Sequence, residues 1–167
     1  ELRTLAAYNT DSRVIPTVRA NGVLVAQVVP RGPTISGTSS VVQLDAWDGE
    51  QATVRADDGV HLRWPAAYER RGWWAEPGET DQAKKDERAK QIEEIRAFFR
   101  RARAYAQTSA PAEVDLRLEA MRGVFNGTKT LYVHANAARE ISEAVLFARA
   151  EGIGGTAHAE HERLTLT

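Results

Sequence analysis

The sequence has no cysteine and one methionine among 167 residues. With no thiol there are no disulfides, no thiolate metal ligands and no cysteine nucleophile. The compartment stays open, because a domain of this length folds without cross-links. Long apolar runs are also missing. The strongest, Val23-Leu24-Val25-Ala26 with Val28-Val29 beyond Gln27, is far short of the roughly 20 residues that span a bilayer. Net charge of one sign is missing too. The formal value of −1, with basic residues dispersed among acidic ones, gives no pull toward nucleic acid or an anionic membrane. No repeat of 20–50 residues is visible.

What is present is an ordinary globular composition, long enough for one domain with a real core. Thr10 to Asn21 reads as a helix ended by Asn21-Gly22, with Val14, Ile15 and Val18 as its apolar stripe. Val23 to Val29 is a nearly continuous apolar strand, the pattern of a strand buried on both faces of a parallel sheet. Helix, tight link and strand together read as half of a βαβ unit. Pro30 to Ser40 is rich in Gly, Pro and hydroxyl residues and reads as a loop.

Short strands are expected at Val41 to Leu44, Ala52 to Ala56 and Val60 to Trp64, with a hairpin turn at Asp57-Asp58-Gly59. Residues 66–80 form an irregular aromatic stretch. Three helices follow: Thr80 to Ala106, with Ile92, Ile95, Phe99, Ala102 and Tyr105 facing inward; Glu113 to Val124, with Val114, Leu118, Met121 and Phe125 on one face; and Ala138 to Glu151, with Ile141, Ala144, Val145 and Ala148 inward and Gly152 as C-cap. A strand at Thr130 to Val133 precedes the last helix and ends in His134. Residues 154–167 form a tail whose end, Leu164 to Thr167, suits a final strand. The expected architecture is a single α/β domain over residues 1–167, a partial (β/α) barrel with mostly parallel strands and packed helices.

Two stretches carry a family resemblance. One is Arg13-Val14-Ile15-Pro16-Thr17-Val18-Arg19-Ala20-Asn21-Gly22, continuing through Gln27-Val28-Val29-Pro30-Arg31-Gly32 to Ile35-Ser36-Gly37. The other is Leu131-Tyr132-Val133-His134-Ala135-Asn136-Ala137-Ala138-Arg139-Glu140-Ile141. Together they resemble the metal-dependent amidohydrolases, in particular the imidazolonepropionase-like branch. The resemblance implies a (β/α)₈ barrel, which takes about 250 residues and carries its site at the C-terminal strand ends. It implies zinc in the parent family, metal-assisted hydrolysis of C–N bonds in cyclic amides or dipeptides, and His134 as a metal ligand at the end of the fifth barrel strand.

The chain departs from that pattern. It has no first-strand His-x-His, no match to the later His and Asp ligands, and Asn136 where many relatives carry a second His. The expectation is therefore a piece from the middle of a barrel, catalytically incomplete by itself, with no cofactor expected in this chain. Its partners would be copies of itself or a completing chain, without nucleic acid or membrane. A binding or interaction module that reuses a half-barrel is the alternative.

Other candidates have plainer readings beside the functional one. His158 and His161, three apart, would share a face of a helix and could hold a metal with Glu160 or Glu162; they also suit an exposed polar tail. Gly32 to Gly37 could cradle an anion through backbone N–H groups, although Pro33 removes one donor and no Gly-Lys-Ser/Thr ending follows. Trp64, Tyr68, Trp73 and Trp74 around Arg70-Arg71 could stack on a ligand, or pack as a lid on the core. Asp45 and Asp48 flank Trp47, a spacing too common to signal acid–base catalysis.

Overall fold

The structure, a computed structural model, describes residues 2–67, 81–109, 111, 113–153, 155–158 and 163–165. Among the described residues seven strands lie in one sheet: β1 (Leu2–Arg3), β2 (Val25–Val28), β3 (Ile35–Gln43), β4 (Thr53–Arg63), β5 (Thr130–His134), β6 (Gly155–His158) and β7 (Arg163–Thr165). Six helices accompany them among these residues: α1 (Thr4–Ala7), α2 (Val14–Ala20), α3 (Gly49–Ala52), α4 (Asp81–Ala106), α5 (Leu116–Phe125) and α6 (Ala138–Ala150). The spatial order is β1-β3-β4-β5-β6-β7, with β2 also paired to β3. Among the described residues no helix is long and apolar enough to cross a membrane.

The sheet is mixed, which corrects the expected mostly parallel arrangement. Pairs β4–β5, β5–β6 and β1–β3 are parallel; β2–β3, β3–β4 and β6–β7 are antiparallel, and the longest strands form an antiparallel pair. Two misread segments account for the difference. The apolar run at Val23 to Val29 is not buried on both faces. As β2 it covers Val42 and Leu44 with Ala26 and Val28, while Leu24 and Val25 stand largely exposed. The stretch from Ile35 to Ser40, rich in hydroxyl residues, is not loop but the buried first half of β3. Its polar side chains are satisfied across the sheet: Ser39 Oγ donates to the Gly59 carbonyl at 3.3 Å, and Thr38 Oγ1 donates to Asp57 Oδ1 at 3.1 Å. Buried hydroxyls are tolerated where such partners exist.

The turn signal at Asp57-Asp58-Gly59 produces a bulge instead of a hairpin. Pairing passes from Ser39↔Gly59 to Val41↔Arg55, and Asp57 adopts φ 49°. One strand of 11 residues thus absorbs what reads as two short strands and a turn.

Helices α4, α5 and α6 cover one face of β4 and β5. Val60, Leu62 and Trp64 alternate with Leu131, Val133 and Ala135 on that face, against Ile95, Phe99, Ala102, Leu118, Met121, Val124, Ala144 and Phe147. The helical faces of α4 and α6 fall close to the expected ones. Helix α5 starts later than expected, capped by the Asp115 carboxylate on the Arg117 N–H, which leaves Val114 outside the helix and exposed. One-sided helix cover gives a half-barrel, and the opposite face of β4 and β5 is left to polar side chains.

Candidate functional site

That opposite face carries Gly59, His61 and Arg63 on β4, and Thr130, Tyr132 and His134 on β5. The parallel register sets His61 beside Tyr132 and Arg63 beside His134. His134 therefore sits at the C-terminal end of its strand, as expected. Beside it is an imidazole that the sequence reading passed over. His61 Nδ1 lies 2.8 Å from His134 Nε2, a hydrogen-bond distance. Which nitrogen carries the proton depends on the tautomer. His61 is almost fully buried, and its ring stacks on Tyr132 with centroids 4.7 Å apart and planes 12° apart.

A polar floor supports the pair. The Tyr132 hydroxyl donates to Asp58 Oδ2 at 2.7 Å, and Gln27 Nε2 donates to the same oxygen at 2.9 Å. Arg55 Nε approaches Asp58 Oδ1 at 3.0 Å, so the buried carboxylate is held from three sides. Burial first, and the neighbouring Asp58 next, push the Tyr132 phenol above its ordinary range, keeping it a donor.

The strand ends are tied by Glu140 at the start of α6. Its carboxylate accepts from the backbone N–H groups of Ala67 at 2.6 Å, Asn136 at 2.9 Å and Ala137 at 3.2 Å. Burial alone would raise this acid; the three N–H donors, with the charge of Arg88, bring it below its ordinary range. Next to it, Glu143 receives Arg88, Arg139 and the Trp64 indole N–H. These contacts pin the segments that follow β4 and β5.

Whether these residues fit a zinc ion can be decided by distance. Zinc–imidazole bonds of about 2.0–2.1 Å in tetrahedral geometry hold two nitrogens about 3.3 Å apart. The 2.8 Å between His61 and His134 is too short for both to reach one ion. Among the described residues no three His, Cys, Asp or Glu side chains come together as a metal-holding group. The described residues do not fit the ion.

The remaining candidates are resolved differently. His158 ends strand β6 in register with His134, so the helical spacing proposed for His158 and His161 does not apply; His161, Glu160 and Glu162 lie outside the described residues. The Gly32 to Gly37 segment runs into β3, with Ser36 Oγ donating to the Pro33 carbonyl at 3.1 Å. Trp64 is a core residue whose ring meets Phe147; Tyr68, Trp73 and Trp74 lie outside the described residues. Asp45 pairs with Arg19, and Asp48 caps α3. The alternation of apolar and polar residues in Val60-His61-Leu62-Arg63-Trp64 is the signal that could have placed His61 and Arg63 on one polar face. What the sequence could not show is that β5 is the next strand.

The chain superposes on the crystal structure of an amidohydrolase from Thermotoga maritima MSB8 with a TM-score of 0.72. It is similar in fold to an amidohydrolase. The match runs over 91% of this chain at 21% sequence identity, and over 40% of that structure's chain. The present chain thus spans two fifths of the amidohydrolase it resembles. No protein-family model matches the sequence, and no curated protein matches it. The likeness is one of fold, and it does not distinguish the imidazolonepropionase-like branch.

Proposed function

We propose that this chain is a portion of an amidohydrolase-type barrel, related to enzymes that hydrolyse C–N bonds with a bound metal, and silent as a catalyst by itself. The observation that carries the reading is the position of His134. It stands at the C-terminal end of a parallel strand, on the face that carries no helix among the described residues, in a fold shared with an amidohydrolase. Active sites of (β/α) barrels occupy that end.

His134 is the residue we assign to descent from a metal ligand. Zinc would belong to the parent family, with substrates among cyclic amides or dipeptides. Hydrolysis of that kind needs about three protein ligands, a metal-bound hydroxide and groups that polarise the carbonyl. The described residues bring two imidazoles, already engaged with each other. Self-association, a second chain or further sequence would be needed to complete a site.

The test is purified chain with added zinc against a panel of cyclic amides and X-Pro dipeptides. No turnover above background is expected. Turnover that follows the protein through a final column and disappears in His134→Ala would overturn catalytic silence. A first-strand His-x-His encoded upstream in the same reading frame would support the barrel assignment, and its absence there would count against it.

A further inference from the structure

A proton fits between His61 and His134 where an ion does not. We propose that His61 has taken the place of the metal on His134, so that the two side chains form a hydrogen-bonded dyad held in position by Tyr132 and Asp58. The proposal rests on the reading of His134 as a residue descended from a ligand.

Three observations carry it. The nitrogens are 2.8 Å apart, about half an ångström closer than two ligands of one tetrahedral zinc. His61 is 2% exposed, so swinging it aside would require repacking the sheet face. Its ring lies flat on Tyr132, whose hydroxyl is bound by Asp58, and that carboxylate is itself held by Gln27 and Arg55. The ring of Tyr132 is in turn seated on Gly59, where a side chain would collide with it. Residues from β2, β4 and β5 thus fix the dyad from beneath. Seating an ion between the two nitrogens would separate them and break their hydrogen bond against this floor. His61 is a positioning residue here: it sets the orientation of His134 and withholds its Nε2 from a metal.

The experiment is nuclear magnetic resonance of the full chain carrying ¹⁵N-histidine, without metal and with one equivalent of zinc. One imidazole N–H proton should appear far downfield and exchange slowly with water. It should vanish in both His61→Phe and His134→Phe and persist when zinc is added to the unsubstituted protein. Tyr132→Phe keeps the stacked ring and removes only the bond to Asp58, so it tests the floor even where the histidine variants fail to fold. In that variant the N–H should exchange about tenfold faster, the effect of one lost charge-assisted hydrogen bond. Displacement of the proton by one equivalent of zinc, with zinc retained on dialysis, would overturn the dyad. Unchanged exchange in Tyr132→Phe would overturn the role of the floor. Hydrolysis by the chain would sink the proposed function and leave this signal standing, so the two failures are distinguishable.

Discussion

Tyr132 rests its ring on the backbone of Gly59, one strand away. A Cβ built on Gly59 would run into both that ring and the Thr130 carbonyl oxygen. The close approach sets the height at which Tyr132 meets His61. Gly59→Ala should therefore cost about 1–3 kcal/mol, the usual penalty for an overpacked interior position. Urea denaturation followed by tryptophan fluorescence would measure it. A loss below about 0.5 kcal/mol would mean that β4 and β5 adjust freely at this point.

Asp58 should be the most costly polar residue of the floor to remove. Asp58→Ala leaves Tyr132, Gln27 and Arg55 without the acceptor they share. A loss of about 2–3 kcal/mol is expected, with Tyr132→Phe at roughly half of that. Arg55 is largely exposed and can turn to water, so the figure is set by Tyr132 and Gln27. Equal losses in the two variants would show that the Tyr132 bond alone carries the site.

Acid should unfold the protein in part through Glu143. Burial works against its charge, but hydrogen bonds from Arg88, Arg139 and Trp64 outweigh that and bring its pKa down to about 2. Because the folded value lies below the unfolded one, the stabilisation is complete above the ordinary carboxylate range. It is lost as pH falls from there through about 2. Its size is on the order of 3 kcal/mol. Glu143→Gln should be less stable near neutral pH and show a flatter stability profile between about pH 5 and 2. A profile parallel to that of the unsubstituted protein would assign the acid transition to other carboxylates.

Self-association is expected at the edge formed by β2. Among the described residues β2 pairs only with β3, and Leu24 and Val25 beside that edge are exposed. Unpaired strand edges with apolar side chains invite pairing with another chain. Light scattering should show a mass that rises with concentration across the micromolar range, and Val25→Lys should abolish the rise. A strictly monomeric species throughout would rule this edge out.

Periodicity in the sequence determined helices α4 and α6 and the fifth strand, but not the one-turn helices α1 and α3. The stripe of Ile95, Phe99 and Ala102 and the small inward face of Ala144 and Ala148 are local patterns, and local patterns survive into the structure because one face of each helix must be buried. The place of His134 at the close of a short apolar strand was legible in the same way, but its standing as a candidate ligand came only from the family resemblance. Strand partners were not legible. Whether Ile35 to Ser40 is loop or strand depends on acceptors supplied by Gly59 and by the neighbouring strands, tens of residues away. Whether Val23 to Val29 is central or at an edge depends on what pairs beside it, and periodicity says nothing of neighbours. His61 belongs to the same class: one polar residue in an alternating strand, given meaning by Tyr132 and His134 more than 70 positions later. The sequence alone determined which residues could line a polar face. Only the tertiary structure brought two imidazoles to 2.8 Å, because the parallel register of β4 and β5 is a long-range choice that no local pattern encodes.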